Sequence, residues 1–385
     1  MKNQKTASLA VVGKALAVAI CLACLCMSAV AASYEQTNLV SDISGIAKFT
    51  DPNLKNSWGI AFSGSSPIWI GDNGTGVSTV YLGTGQAFKV NGQPLVVAIP
   101  SPGNAGCTNP PSSTPTGVVV NGTTGFVVTG SNGVGGPAAF IFATEDGTIS
   151  GWNPKANFGC AVLKVDHSDT AVYKGLAIAT TSNGTFIYAT NFREGMVEMY
   201  DSNFHAAGTF TDGDLVSLGF APFGIQEVKN RIFVTFAKQD DAKHDDVAGP
   251  GLGYVDEFKT DGTFIRRFAS QGPLNSPWGI ALAGNDFEQF SGRLLIGNFG
   301  DGTINAFSLA TGNFVGTLRD VHNDPIVIGG LWGLKFGMDG ANNGPTSTLF
   351  FTAGINGEGD GLFGKITAIE CEIEIKHGRG HDDDH

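Results

Sequence analysis

Cysteine, basic residues and helical pattern are all in short supply here, and each shortage narrows what the chain can be. Six cysteines occur in 385 residues. Cys21, Cys24 and Cys26 share one apolar N-terminal run, which leaves Cys107, Cys160 and Cys371 elsewhere. Three cysteines allow at most one internal bridge, so the fold does not rest on disulfides. Lys and Arg number 23 against 35 Asp and Glu, a net charge of −12. That acidity argues against nucleic acid and anionic membrane as partners. Sustained apolar spacing at i, i+3 and i+4 is missing, which argues against a helical bundle. No G-x-S-x-G elbow, H-E-x-x-H helix or Walker loop is present, so no motif names a nucleophile or a catalytic metal. Beyond the N-terminal run there is no second long apolar segment, and no further membrane span is expected.

What is present begins with that run. Lys2, Lys5 and Lys14 lead into ALAVAICLACLCMSAV, and Ala29-Val30-Ala31 follows with the small residues of a cleavage site. This is the pattern of a secretory signal spanning residues 1–31. Removing it with its three lysines takes the net charge from −12 to −15. The expectation is an exported, soluble monomer, secreted or periplasmic. Residues 32–370 form one domain, and a polar tail rich in His and Asp, 371–385, follows it.

Glycine is abundant, at 55 residues, and it falls between short β-branched and aromatic runs. That mixture reads as many strands joined by tight turns. The runs repeat. SWGIAF, PTGVVV, YKGLAI, PFGIQE, PWGIAL and LWGLKF each open a unit on a glycine: Gly59, Gly117, Gly175, Gly224, Gly279 and Gly333. A second apolar run and a third strand follow each time. Six such units predict an all-β, six-bladed β-propeller. The last unit lacks an outer strand, and TNLVSDI near the N-terminus matches the missing one. Supplying it would close the ring and cover two sheet edges.

Longer motifs occur in the same order as the units: NSWGIAF, FIFATEDGTISGWNP, YATNFREG, FAKQDDAKHDDVAGPG, GPLNSPWGIAL and GNFGDGTINAF. Through them the chain resembles an uncharacterised bacterial family of secreted, NHL-repeat-like propellers, over nearly all of residues 38–369. Many members of that family end in a PEP-CTERM sorting signal, which HGRGHDDDH replaces here. The resemblance implies a fold and an exported location, and it implies no activity. A looser likeness, at the level of fold, reaches the six-bladed calcium-dependent lactonases and arylesterases.

In such a blade, the inner strand starts on the face where the turns between second and third strands also emerge. Trp58, Lys174, Phe223, Trp278 and Trp332, each just before an opening glycine, are therefore expected around a channel mouth as ligand-binding residues, with Arg193 beside them. The turns bring Asp72, Glu145, Asn191, Asp240, Asp241 and Asn298 to the same rim as oxygen ligands. Hard oxygen donors in that number suit Ca²⁺. The same Asn and Asp residues also suit tight turns without any metal. One turn stands apart: FAKQDDAKHDDVAGPGLGY is long enough to fold over the mouth as a lid, and it carries His244 and Asp241 as candidate proton-transfer groups. Two functions fit. One is a binding propeller for a small molecule, carbohydrate or envelope protein, with or without a divalent cation. The other is a calcium-dependent hydrolase or lyase of the lactonase or esterase type.

Overall fold

Six inner strands meet around one axis, and glycine is what lets them meet. The computed structural model describes residues 32–104, 106–107 and 111–369. The N-terminal apolar run, Cys371 and the His- and Asp-rich tail lie outside the described residues. The inner strands are Ser57–Ala61, Pro115–Val120, Tyr173–Thr181, Phe220–Val228, Pro277–Leu282 and Leu331–Phe336. Each heads an antiparallel four-stranded blade, and the six blades form a β-propeller.

The opening glycine of each blade lies against backbone of the next. A Cβ on Gly224 would sit 2.0 Å from the Trp278 carbonyl oxygen, and one on Gly279 would sit 2.4 Å from that of Trp332. Gly333 closes the circle, at 2.7 Å from the Trp58 carbonyl. Because the neighbour is backbone, it cannot rotate away. Gly224→Ala is expected to cost about 3 kcal/mol, the upper end for overpacking, in a urea titration. Gly64→Ala, with nothing within 4 Å of its Cβ, should stay within about 0.5 kcal/mol of the parent.

Between adjacent blades lie six separate apolar clusters, one to each seam. A seventh cluster, holding Trp58, Phe192, Phe223, Trp278 and Trp332, sits on the axis. A propeller buries its blades face to face, so its core is divided among the seams.

The sixth blade is completed by the N-terminus as expected. Ser33–Ser41 pairs antiparallel with Asp360–Ile369, from Ser33 opposite Ile369 to Ser41 opposite Leu362. The strand starts before the TNLVSDI run, and Tyr34 anchors it with its ring 5.8 Å from Phe290 and its N–H donated to the Arg319 carbonyl. A two-residue strand, Phe49–Thr50, lies parallel on its outer side. Between blades one and two, the insertion carrying Cys107 is fastened by a disulfide to Cys160, Cα to Cα 5.9 Å. Beside the disulfide, Ala98 of blade one bridges to Cys160 at the margin of blade two. No helix among the described residues is long and apolar enough to cross a membrane.

Candidate functional site

At the channel mouth the aromatic residues form a plug. Trp58 stacks on Trp332 with ring centroids 3.5 Å apart, and Phe299 covers the other face of Trp332 at 4.1 Å. Trp278 meets both tryptophans edge-on. Trp58 and Trp332 are each 1% exposed and Phe223 is 0% exposed. The indole N–H groups are satisfied from within: Trp58 and Trp332 both donate to Asn56 Oδ1, and Trp278 donates to the Lys174 carbonyl. The sequence suggests rings lining an open mouth. The structure turns them toward one another, because six converging inner strands leave an axis narrow enough for their side chains to fill.

Lys174 occupies the same repeat position, and it is the charge in the plug. It is 2% exposed, with Nζ paired to Glu145 and, at 3.1 Å, to Asp245. The ammonium also lies 5.3 Å from the Trp58 ring and 5.8 Å from Phe192. Burial alone would push its pKa down, but Glu145 and then Asp245 outweigh that and hold it above the ordinary lysine value. Asp245 behaves as the mirror image: burial works to raise it, and Lys174 and His244 bring it below the usual carboxylate range.

From Lys174 a chain of polar contacts runs around the top of the plug. Glu145 accepts from Asn73 Nδ2 at 2.7 Å, Asn73 Oδ1 accepts from Asn56 at 3.3 Å, and Asn56 donates to Glu358 at 2.8 Å. Blades three, two, one and six thus contribute in turn. Burial raises the pKa of Glu358. His244 Nδ1 stands 2.9 Å from Asp245 Oδ1. Glu145, His244 and Asp245 each offer a ligand atom, and the three atoms lie within 4.8 Å of one another.

The long turn of blade four delivers two of those three groups. Gln239 bridges to Asp246 at its base, and Val247 N–H donates to the Lys238 carbonyl. Inside, Asp240 Oδ1 accepts the N–H groups of His244 and Asp245, which folds 240–245 into a compact knuckle. The loop is tied on two sides. Gln239 Nε2 donates to the Phe192 carbonyl of blade three, and Gly249 N–H donates to Asn275, at the entrance to blade five. Its length is what lets Asp245 reach Lys174 across the mouth.

The remaining expected site residues are placed differently. Asp72 is 0% exposed and accepts from Ser57 Oγ and from both N–H and Oγ1 of Thr79, so its oxygens are used inside blade one. Asn191 is bound to Glu198 and Val172, and Asn298 to Pro273, Asp301 and Asn275. All three are buried at the end of a second strand, where Asn191 and Asn298 also hold the turn that follows, through Glu194 and Asp301. Asp240 caps its own loop, Asp241 is exposed, and Arg193 is half-buried in the turn of blade three. Among these metal candidates the structure brings together only Glu145 with the loop. Asp245 and Glu358 are the additions. Asp245 was legible as one of several loop acids, whereas Glu358 had no signal beyond its place in the turn of blade six.

A second polar cluster lies in the seam of blades two and three. Tyr173 and Tyr200 both donate to Glu198 Oε2, and His167 Nδ1 is 3.4 Å from the same oxygen. His167, 44% exposed, caps a buried tyrosine pair.

The fold and plug define a six-bladed β-propeller whose axis is sealed at one end by aromatics and a lysine. The chain is 33% identical to "Uncharacterized protein R648" of Acanthamoeba polyphaga mimivirus over 337 residues, covering 85% of this chain and 78% of that one. It is 31% identical to "Uncharacterized protein L690" of the same virus, with 87% and 86% covered. It belongs to the family of these uncharacterised viral proteins. No family model matches the chain. Among solved structures, it is similar to the soluble aldose sugar dehydrogenase of Escherichia coli in its apo form, with TM-score 0.52 and 11% identity over 87% of this chain and 99% of that one. A protein of unknown function from Bacteroides thetaiotaomicron gives TM-score 0.51 at 11% identity, with 88% and 76% covered. At such identities the likeness is one of fold.

Proposed function

We propose that this protein is an exported binding propeller that takes a small polar ligand at the channel mouth, together with a divalent cation held by Glu145, His244 and Asp245. The observation that carries this reading is the convergence of three donor atoms within 4.8 Å, two of them brought by a loop far longer than its five counterparts. Carboxylate oxygens are what Ca²⁺ takes, and the imidazole nitrogen adds a donor that Zn²⁺ favours more. Export is supported by the signal-like N-terminus and by the Cys107–Cys160 bridge, which persists in an oxidising compartment.

The lactonase or esterase reading draws on one contact. His244 Nδ1 is held by Asp245, the arrangement in which a carboxylate orients an imidazole for proton transfer. Binding fits better, because the floor of the site is a packed plug. Enclosing a reaction from water needs depth.

Protein stripped with EDTA and then titrated with Ca²⁺ or Zn²⁺ tests the cation. Binding to the folded state alone should add about 2.7 kcal/mol at a hundredfold excess over Kd. That gain should be seen as a higher melting temperature for one ion, and it should shrink in Asp245→Asn. Melting curves that coincide with and without either ion would sink the reading.

A further inference from the structure

The opposite end of the axis carries a second lysine in a contrasting setting. The inner strand of blade six starts at the mouth with Leu331 and Trp332 and ends on the far side with Lys335 and Phe336. There a pocket of about 290 Å³ opens between blades four, five and six. Its walls include Val228, Ile280, Leu282, Leu334 and Phe336, with Glu227 as its acid and Lys229 as a second lysine. Lys335 is half-buried in this wall. Its Nζ lies 5.1 Å from the Phe62 ring, and no carboxylate comes within 4.0 Å of it among the described residues. Lys174 at the mouth holds its charge through two carboxylates; Lys335 has none. Burial therefore dominates and pushes its pKa below the ordinary lysine value, with only a partial opposing pull from Glu227.

We infer that Lys335 is a covalent capture site for short, apolar aldehydes or ketones, formed on the face opposite the mouth. An amine in an apolar pocket with its charge unpaired is the setting in which lysine acts as a nucleophile toward carbonyl carbon. In the step, the Nζ lone pair adds to the carbonyl carbon and the C=O π pair moves to oxygen. The two amine protons and that oxygen then leave as one water, and a C=N bond remains. Glu227 is the carboxylate among the residues that line the same pocket. The volume sits at the small end of ligand pockets, and its walls are mainly apolar, so the partner is a compact alkyl or aryl carbonyl compound.

The test is reductive labelling of the full chain near neutral pH with pentanal as probe and cyanoborohydride as the reductant that traps the imine. Peptide mass mapping over time gives a rate for each lysine. Lys335 should be alkylated faster than the exposed Lys155 and Lys243, since a lowered pKa leaves more of its amine free near neutral pH. Lys335→Arg should remove the fast site and leave the other rates unchanged. A Lys335 rate equal to or below that of the exposed lysines overturns the assignment, and that comparison needs no variant. Asp245→Asn, which alters only the mouth, should leave the Lys335 rate as it is, so this result stands or falls separately from the cation site.

Discussion

Glu145→Ala is expected to cost about 3 kcal/mol of folding stability, and Asp245→Asn less than about 1 kcal/mol, although both carboxylates touch the same ammonium. The asymmetry comes from exposure. Lys174 is 2% exposed and Glu145 11%, whereas the Asp245 side chain is 66% exposed and shares its charge with water. Removing Glu145 leaves a buried cation with one solvated partner, so the dehydration of Lys174 is no longer offset. Adding Lys174→Met to Glu145→Ala should recover much of the loss, because an uncharged side chain can remain against Trp58 and Phe192. Chemical denaturation of the two single variants and the double variant measures this directly. Equal losses for the two carboxylate variants would mean that the loop, and not blade two, holds the lysine.

The same pair sets a pH dependence. In the parent, the folded pKa of Lys174 lies above its unfolded value. Its contribution is therefore fully present below the ordinary lysine pKa and is lost as pH rises through the folded one. In Glu145→Ala burial takes over, the folded value drops, and the sign reverses. That variant should gain stability as pH climbs toward the ordinary lysine value.

Deleting residues 33–41 is the most damaging change expected. The segment buries Tyr34, Leu39 and Val40, each at 3% exposure or less. At about 1.5–3 kcal/mol for each buried side chain, the loss is on the order of 5–9 kcal/mol, comparable with the whole stability of a typical domain. The deletion also uncovers the Asp360–Ile369 ladder as a long open edge. Size-exclusion chromatography should show aggregates, with no monomer melting near the parent temperature. A synthetic peptide of residues 33–41 should bind that edge as an added strand and restore part of the monomer. A deletion variant that remains monomeric and melts with the parent would mean that the three-stranded sixth blade is sufficient.

The ring was legible because its repeat is written in glycine. Each opening glycine answers the same steric demand, backbone against the next blade's backbone, so it recurs in all six units. The site was less legible, for a related reason. Asp72, Asn191 and Asn298 recur at the end of the second strand in three blades, and their oxygens and amides bind within or at the entrance of their own blades. A polar residue that recurs with the repeat serves the repeat. The residues that meet at the mouth are those that break it: Lys174 where most other blades place an aromatic ring, and the blade-four loop where the others have short turns. Whether the tryptophans pack or line an opening depends on the width of the axis, a global quantity that local pattern does not carry.

Closure through the first strand also has a consequence for the order in which the molecule is made. Ser41 Oγ donates to the carbonyl of Gly361, 320 residues further along the chain. A ribosome supplies the first partner long before the second exists. Blades one to five can each assemble from a contiguous stretch as it emerges, but blade six must wait for both ends of the described fold. Until then Ser33–Ser41 has Tyr34, Leu39 and Val40 without cover, and the nascent chain carries an unmatched strand through almost the whole of its synthesis. Such a strand is a natural target for a holding chaperone, and ring closure becomes the last event of biogenesis.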